Sequence, residues 1–156
     1  MIPLHFHNGI FQFLQDEVVT QQVHEPFWAL VGDPKWLSVD IDVKEAVDRR
    51  DSNQRDAALY ALKALESTIK IVSDDKGWTN GREKGAASYI DNLVSAKNGR
   101  FIEPWESDAL KALFRDLRNP HAHGPGSEPT IELTNQQQSW VIDASMTWIK
   151  SLITRL

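Results

Sequence analysis

The sequence predicts an all-α protein: an antiparallel four-helix bundle with additional N-terminal helices. Three observations predict it. Apolar residues recur at three- and four-residue steps through most of the chain, the spacing of helices that bury one face. Long alternating β-branched runs are missing. The connections between the helical segments are fairly short, as antiparallel neighbours require. A chain of 156 residues fits one domain and can bury a core without staples. The expected division is an N-terminal helical extension over residues 1–50 packed on a bundle over 51–156.

The first 50 residues carry the weakest pattern. Phe11 to Leu30 reads as helix crossed by Pro26, Gly32-Asp33-Pro34 marks a turn, and Trp36 to Val47 reads as a further helix. The clearest element runs from Ser52 to about Ser73. Its stripe is Ala58, Ala61, Leu62, Leu65, Ile69 and Val72, with Ser52 as the expected N-cap and Gly77 just beyond the stop. A second helix is expected over Lys84 to Lys97, turning Ala87, Ile90, Leu93 and Val94 inward, with Asn98-Gly99 closing it. Pro104 suits the first turn of a third helix, whose buried face is Ala109, Leu110, Leu113, Phe114 and Leu117. Thr134, with Gln137 three residues on, matches a capping box and opens the fourth. Trp140, Val141, Ala144, Trp148, Ile149 and Leu152 form its expected stripe.

Composition narrows the function. There is no cysteine, which rules out disulfides, thiolate zinc sites and a cysteine nucleophile, and points to a reducing cytoplasm. The N-terminus lacks the basic start, long apolar run and cleavage site of a signal peptide. No window approaches the roughly 18 apolar residues that span a bilayer. The expectation is a soluble, cytoplasmic protein without membrane contact. A net charge of −5 argues against a surface that coats nucleic acid, since phosphate neutralisation drives such binding. A short, locally basic cleft remains compatible with it. No Gly-rich phosphate loop, paired catalytic carboxylates or Ser-His-Asp signature is present. No carboxylate–histidine spacing suggests a metal, so neither cofactor nor metal is expected. TNGREKG, from Thr79, reads as a turn and helix start rather than a nucleotide cradle, and His5, His7 and His24 are assigned no site.

Between the third and fourth helices lies FRDLRNPHAHGPGSEP. Within ten residues it holds Arg115, Arg118, Asn119, His121 and His123, and then a Gly-Pro-Gly break. Taken singly, these residues have an ordinary explanation: arginine favours a helix C-terminus, Asn-Pro and Gly-Pro-Gly turn, and the histidines are solvated. Pro120 either disfavours helix at Asn119 or begins a new turn capped by it. Both options bend the chain between Arg118 and His123. On a straight helix five residues advance about 140°, splaying the two side chains; a bend brings them together.

Arg118-Asn119-Pro120-His121-Ala122-His123 resembles the R-N-x-x-x-H hallmark of the HEPN superfamily. The helix containing ALKALESTIK is similar to the early core helix of abortive-infection C-terminal (Abi-C-like) HEPN domains, and it sets Glu66 and Lys70 four residues apart on one face. The resemblance covers about Asp51 to Leu156. It implies a HEPN-like bundle and a metal-independent endoribonuclease of a prokaryotic defence or toxin–antitoxin system. RNA is then the substrate, a homodimer the working form, and an antitoxin or regulatory protein a further partner.

The residue types suit that chemistry. A histidine can take the proton of the 2′-hydroxyl or protonate the leaving 5′-oxygen, and an arginine fork can hold phosphate oxygens as charge builds. His123 is accordingly assigned as general acid/base, Arg118 as transition-state stabiliser and Asn119 to positioning. The products would be a 2′,3′-cyclic phosphate and a 5′-hydroxyl. One histidine serves poorly on both sides of the phosphate, which the family's habit of dimerising would remedy; His121 is a second candidate within the chain. Glu66 is a candidate to orient Arg118; the plain alternative is an exposed Glu66–Lys70 pair worth about 0.3–0.5 kcal/mol. Arg115 and Lys111 add positive charge or form a solvated face. The alternative function is a non-catalytic HEPN module binding a partner protein or nucleotide. HEPN toxins paired with a nucleotidyltransferase antitoxin typically continue the motif as His-x-Tyr, whereas this chain reads His123-Gly124-Pro125, which lowers that reading.

Overall fold

The computed structural model describes residues 4–7, 10–118 and 132–156, with side chains from residue 17. The chain opens on two short strands, β1 (Leu4–His7) and β2 (Ile10–Phe13), paired antiparallel with Leu4 opposite Phe13 and His7 opposite Ile10. This corrects the expectation of helix from Phe11. Asn-Gly at positions 8 and 9, between two four-residue runs, is the strongest short-range hairpin signal, and helical spacing has little reach over so short a segment. Beyond the hairpin the described elements are all helical.

α1 (Leu14–Val19) passes through a π-helical turn (Thr20–His24) into α2 (Glu25–Val31), with Pro26 in the first turn of α2. Asp33 caps a 3₁₀ turn, Pro34–Trp36, by accepting from the Lys35 N–H at 2.8 Å. α3 (Leu37–Asp51) and α4 (Ala57–Asp75) then form an antiparallel hairpin. Ser52 closes α3, its N–H donating to the Asp48 carbonyl at 3.0 Å, so it does not cap α4. Arg49 pins the junction: it donates to Glu45 at 2.6 Å and Asp56 at 2.7 Å, and its guanidinium lies 4.4 Å from the centre of the Tyr60 ring.

α5 (Ala86–Val94) is shorter than the expected Lys84–Lys97, because a 3₁₀ turn at Ala96–Asn98 and Gly99 at φ +84° replace its end. α6 (Pro104–Leu113) begins at the expected proline. α7 (Asn135–Thr154) begins at the expected capping box: Gln137 N–H donates to Thr134 Oγ1 at 3.2 Å and Thr134 N–H to Gln137 Oε1 at 2.9 Å. No helix among the described residues is long and apolar enough to cross a membrane.

α4 runs through the middle of the core, burying four alanines together with Leu62, Leu65, Ile69 and Val72. Small side chains on one face let neighbours approach closely. α3 contributes Val39, Val43 and Ala46, α7 contributes Val141, Ile142, Met146, Ile149 and Leu152, and α2 adds Phe27 and Val31. The inward face of α7 is therefore rotated from the expected one: Trp140 is 59% exposed, while Ile142, Ser145 and Met146 are buried. Ala87 and Ala109 are exposed as well, since a lone alanine has too little apolar area to hold a helix rotation.

Helix directions follow from contacts at their ends. Glu106 near the start of α6 meets Arg155 just past the end of α7, which ties those two ends together. Gln138, near the start of α7, meets the start of α4, so those two run in the same sense. The buried Gln138 side chain accepts from the Ala58 N–H at 2.8 Å and donates to the Arg55 carbonyl at 2.7 Å. It supplies from 80 residues away the cap that α4 lacks locally.

Candidate functional site

The site grows from the end of α6. After Leu113 the helix widens into a π-helical turn over Phe114–Arg118. Such turns are rare and recur at functional sites. A wider turn needs more residues to close, so Arg118 lags the position a regular helix would give it. Phe114 is buried and Leu117 packs against the core, which anchors the turn on its apolar side.

Arg118 Nη2 lies 2.8 Å from Glu66 Oε2 in the middle of α4. Lys70, one turn on, places its ammonium 2.8 Å from Glu66 Oε1. Glu66 is only 7% exposed. A carboxylate so buried needs compensation for its lost hydration, and two cations supply it. The arginine contact is ionic in geometry: Glu66 Oε2 accepts no hydrogen bond. No other donor of the Arg118 guanidinium is committed to a described residue. The Lys70 ammonium also lies 5.6 Å from the centre of the Tyr89 ring, tying α4 to α5.

These groups form one wall of a cleft of about 920 Å³. Lys111 and Arg115 line it from α6 and the π-helical turn. Lys84, Tyr89 and the first residues of α5 line it from the far side. Five cations and two carboxylates, Glu66 and Glu83, thus face a single concavity on a chain whose net charge is −5. Lys111 pairs with Asp91 at 2.5 Å. Arg115 donates to Asp116 through Nε at 2.7 Å and Nη2 at 2.8 Å, which raises the arginine's pKa and lowers the aspartate's.

Of the residues singled out from sequence, Glu66, Lys70, Arg115 and Arg118 share this cleft. Asn119, His121 and His123 lie outside the described residues. Sequence reasoning read the loop before α5, with Glu83 and Lys84, as a turn and helix start and assigned it no site, and it did not single out Tyr89 of α5. Its available signal was the spacing of Gly77, Gly81 and Gly85 around Arg82-Glu83-Lys84.

A scan against protein-family models finds the Abi_C family, a HEPN-like domain, over residues 39–156. That range holds both walls of the cleft and begins inside α3. The chain belongs to this HEPN-like family. No match was found among the curated proteins or among the solved structures. The start at residue 39 lies upstream of Asp51, where the sequence resemblance begins, and brings most of α3 into the HEPN-like domain. Its Val39, Val43 and Ala46 belong to the same core as α4 and α7.

Proposed function

We propose that this HEPN-like domain is a metal-independent endoribonuclease of a prokaryotic defence or toxin–antitoxin system, acting as a homodimer. The observation that carries the reading is the cation-rich cleft. On an acidic chain, positive charge is concentrated around the π-helical turn that ends at Arg118, and Arg118 is the first residue of the R-N-x-x-x-H motif.

In the proposed reaction, His123 takes the proton from a ribose 2′-hydroxyl, and the 2′-oxygen attacks the adjacent phosphorus. The P–O5′ bond breaks as a second histidine delivers a proton to the 5′-oxygen. His123 of a second copy supplies that proton in a composite cleft, with His121 as the candidate within the chain. Arg118 takes up the charge that builds on the non-bridging oxygens through donors not aimed at Glu66. Glu66 orients Arg118, and Lys70 offsets the Glu66 charge so that the arginine is not neutralised outright. Asn119 positions the motif. The products carry a 2′,3′-cyclic phosphate and a 5′-hydroxyl.

The test is cleavage of single-stranded RNA in EDTA by the wild type, Arg118→Ala and His123→Ala. Wild-type cleavage giving cyclic-phosphate ends, lost in both variants, is the expected result. Equal activity in all three proteins identifies a contaminant or another site, and a requirement for added metal contradicts the chemistry. A size measurement fixed at monomer removes the composite cleft.

The second reading is a non-catalytic module that binds a partner protein or nucleotide. The ion pair of Arg118 with a buried carboxylate favours it, because it gives the arginine a structural use. Wild-type protein that fails to cleave, with Arg118→Ala lowering its thermal stability, would be its signature.

A further inference from the structure

The wall of the cleft opposite Arg118 is a built loop. Glu83 organises it: the carboxylate accepts from the Asn80 N–H at 2.9 Å, the Gly81 N–H at 2.9 Å and Asn92 Nδ2 at 2.9 Å. Asn80 Oδ1 in turn accepts from the Arg82 N–H at 2.9 Å. Asn92 belongs to α5 and also donates to Ser73 Oγ of α4 at 3.0 Å, which fastens the loop to two helices. Gly77 and Gly81 supply the turns, at φ +72° and +84°, where a side chain would be strained. Because the Asn92 amide and two backbone N–H groups hold Glu83 as an anion, its pKa is pushed down to about 2.

The consequence is electrostatic. The Glu83 oxygens are occupied by the loop's own neutral donors, and the carboxylate makes no ion pair with the adjacent Lys84. Each of the other four cations has a carboxylate within 2.8 Å: Glu66 for Lys70 and Arg118, Asp91 for Lys111, and Asp116 for Arg115. Lys84 is the one cation of the cleft that has no ion-pair partner among the described residues, and its side chain is exposed. The cleft of about 920 Å³ is lined by Lys84 and Arg118 together, and it lies at the upper end of the roughly 300–1,000 Å³ of small-molecule sites.

We propose that Lys84 forms a second phosphate subsite, holding a backbone phosphate that flanks the one at Arg118, and that Glu83 is the positioning residue presenting it. This rests on the reading of the cleft as an RNA site, and the experiment separates the two. A fluorescently labelled, fully 2′-O-methylated single-stranded RNA binds without offering the nucleophile. Its affinity for the full chain is measured by anisotropy across a salt series, beside cleavage kinetics on unmodified RNA. Lys84→Ala is compared with wild type, with Lys84→Arg, and with Lys97→Ala, an exposed cation outside the cleft.

For single strands, removing one lysine–phosphate ion pair should reduce the slope of log K against log salt by about 0.7. The expected result is that reduction in Lys84→Ala, rescue in Lys84→Arg and no change in Lys97→Ala, with KM raised and kcat kept. Glu83→Gln should lower the slope as Lys84→Ala does, although the lysine is still present. If the wild type binds the analogue without cleaving RNA, and Lys84→Ala lowers the slope, the subsite stands and the nuclease reading falls. If RNA is cleaved but slope and KM are the same in Lys84→Ala, the subsite falls alone. Wild-type protein that does not bind the analogue overturns both.

Discussion

The two ends of α6 each set a buried glutamate against an arginine, and they do so to different effect. At the start, Glu106 accepts from Arg155 Nη2 at 2.5 Å and Nη1 at 3.2 Å, and from the Glu103 N–H at 2.8 Å. Every oxygen has a donor, and the pair joins α6 to the end of α7. At the other end, Glu66 faces two cations, and one of its oxygens accepts no hydrogen bond. The first network is closed and has a ready structural explanation. The second is open, incompletely satisfied and lines a cleft of cations, which is how sites differ from fasteners when both are made of the same residue types.

The largest effect should come from opposite outcomes for the two arginines. Arg118→Ala is expected to lower RNA cleavage by about 10²–10³-fold, the cost of one transition-state donor, while the fold keeps Lys70 on Glu66. Arg155→Ala is expected to leave cleavage per folded molecule intact and to destabilise by about 3 kcal/mol, since Glu106 loses its counter-charge. At this chain length that is a fall in Tm of about 6–12 °C. Turnover and melting curves on both variants check the contrast, and it breaks if the two respond alike.

Smaller in size is Gln138→Ala, which strips the start of α4 of a buried acceptor and a buried donor. The expected loss is about 2 kcal/mol by chemical denaturation, without change in RNA affinity. The mildest probe is acid. Glu106 and Glu83 both titrate below the usual carboxylate range, Glu106 because Arg155 donates to it and Glu83 because Asn92 and the loop backbone do. A depressed native pKa stabilises above the unfolded value and is lost as pH falls through the native one. The Glu83 contribution should therefore persist above pH 4.5 and disappear toward pH 2. NMR titration of the Glu83 carboxyl checks this, and Asn92→Ala should move the midpoint upward.

Much of the bundle is legible in local patterns. The α4 stripe, the proline that opens α6 and the reciprocal Thr134–Gln137 cap each depend on residues within one or two turns, so spacing alone exposes them. Three features escape that reach. Ser52 has the chemistry of an N-cap but is used to end α3, while α4 is capped by Gln138, 80 residues away. Trp140 fits the apolar period of α7 yet faces solvent, because the real stripe includes the polar Gln138 and Ser145. The hairpin announces itself through Asn8-Gly9, a two-residue signal inside a segment read for longer periods. At the site, Glu66 and Arg118 stand 52 positions apart in sequence, and no helical period links them. Lys84 differs again. What distinguishes it is the lack of an ion-pair partner among the described residues, and a neighbouring Glu83 in the sequence suggests the opposite.

The widened turn over Phe114–Arg118 has one more implication. Where a helix carries a surplus residue in a widened turn, the bearing of the guanidinium that follows depends on how many peptide units precede it. Excise a single exposed position there, such as Asp116, and the coil can tighten to the ordinary pitch with its apolar anchors still seated. Four residues at about 100° each sweep much the same angle as the five of the wide turn, so Arg118 would keep its bearing on the Glu66 carboxylate. Only a second loss there, with no slack left to absorb it, would rotate Arg118 by about 100° and act as a change of aim.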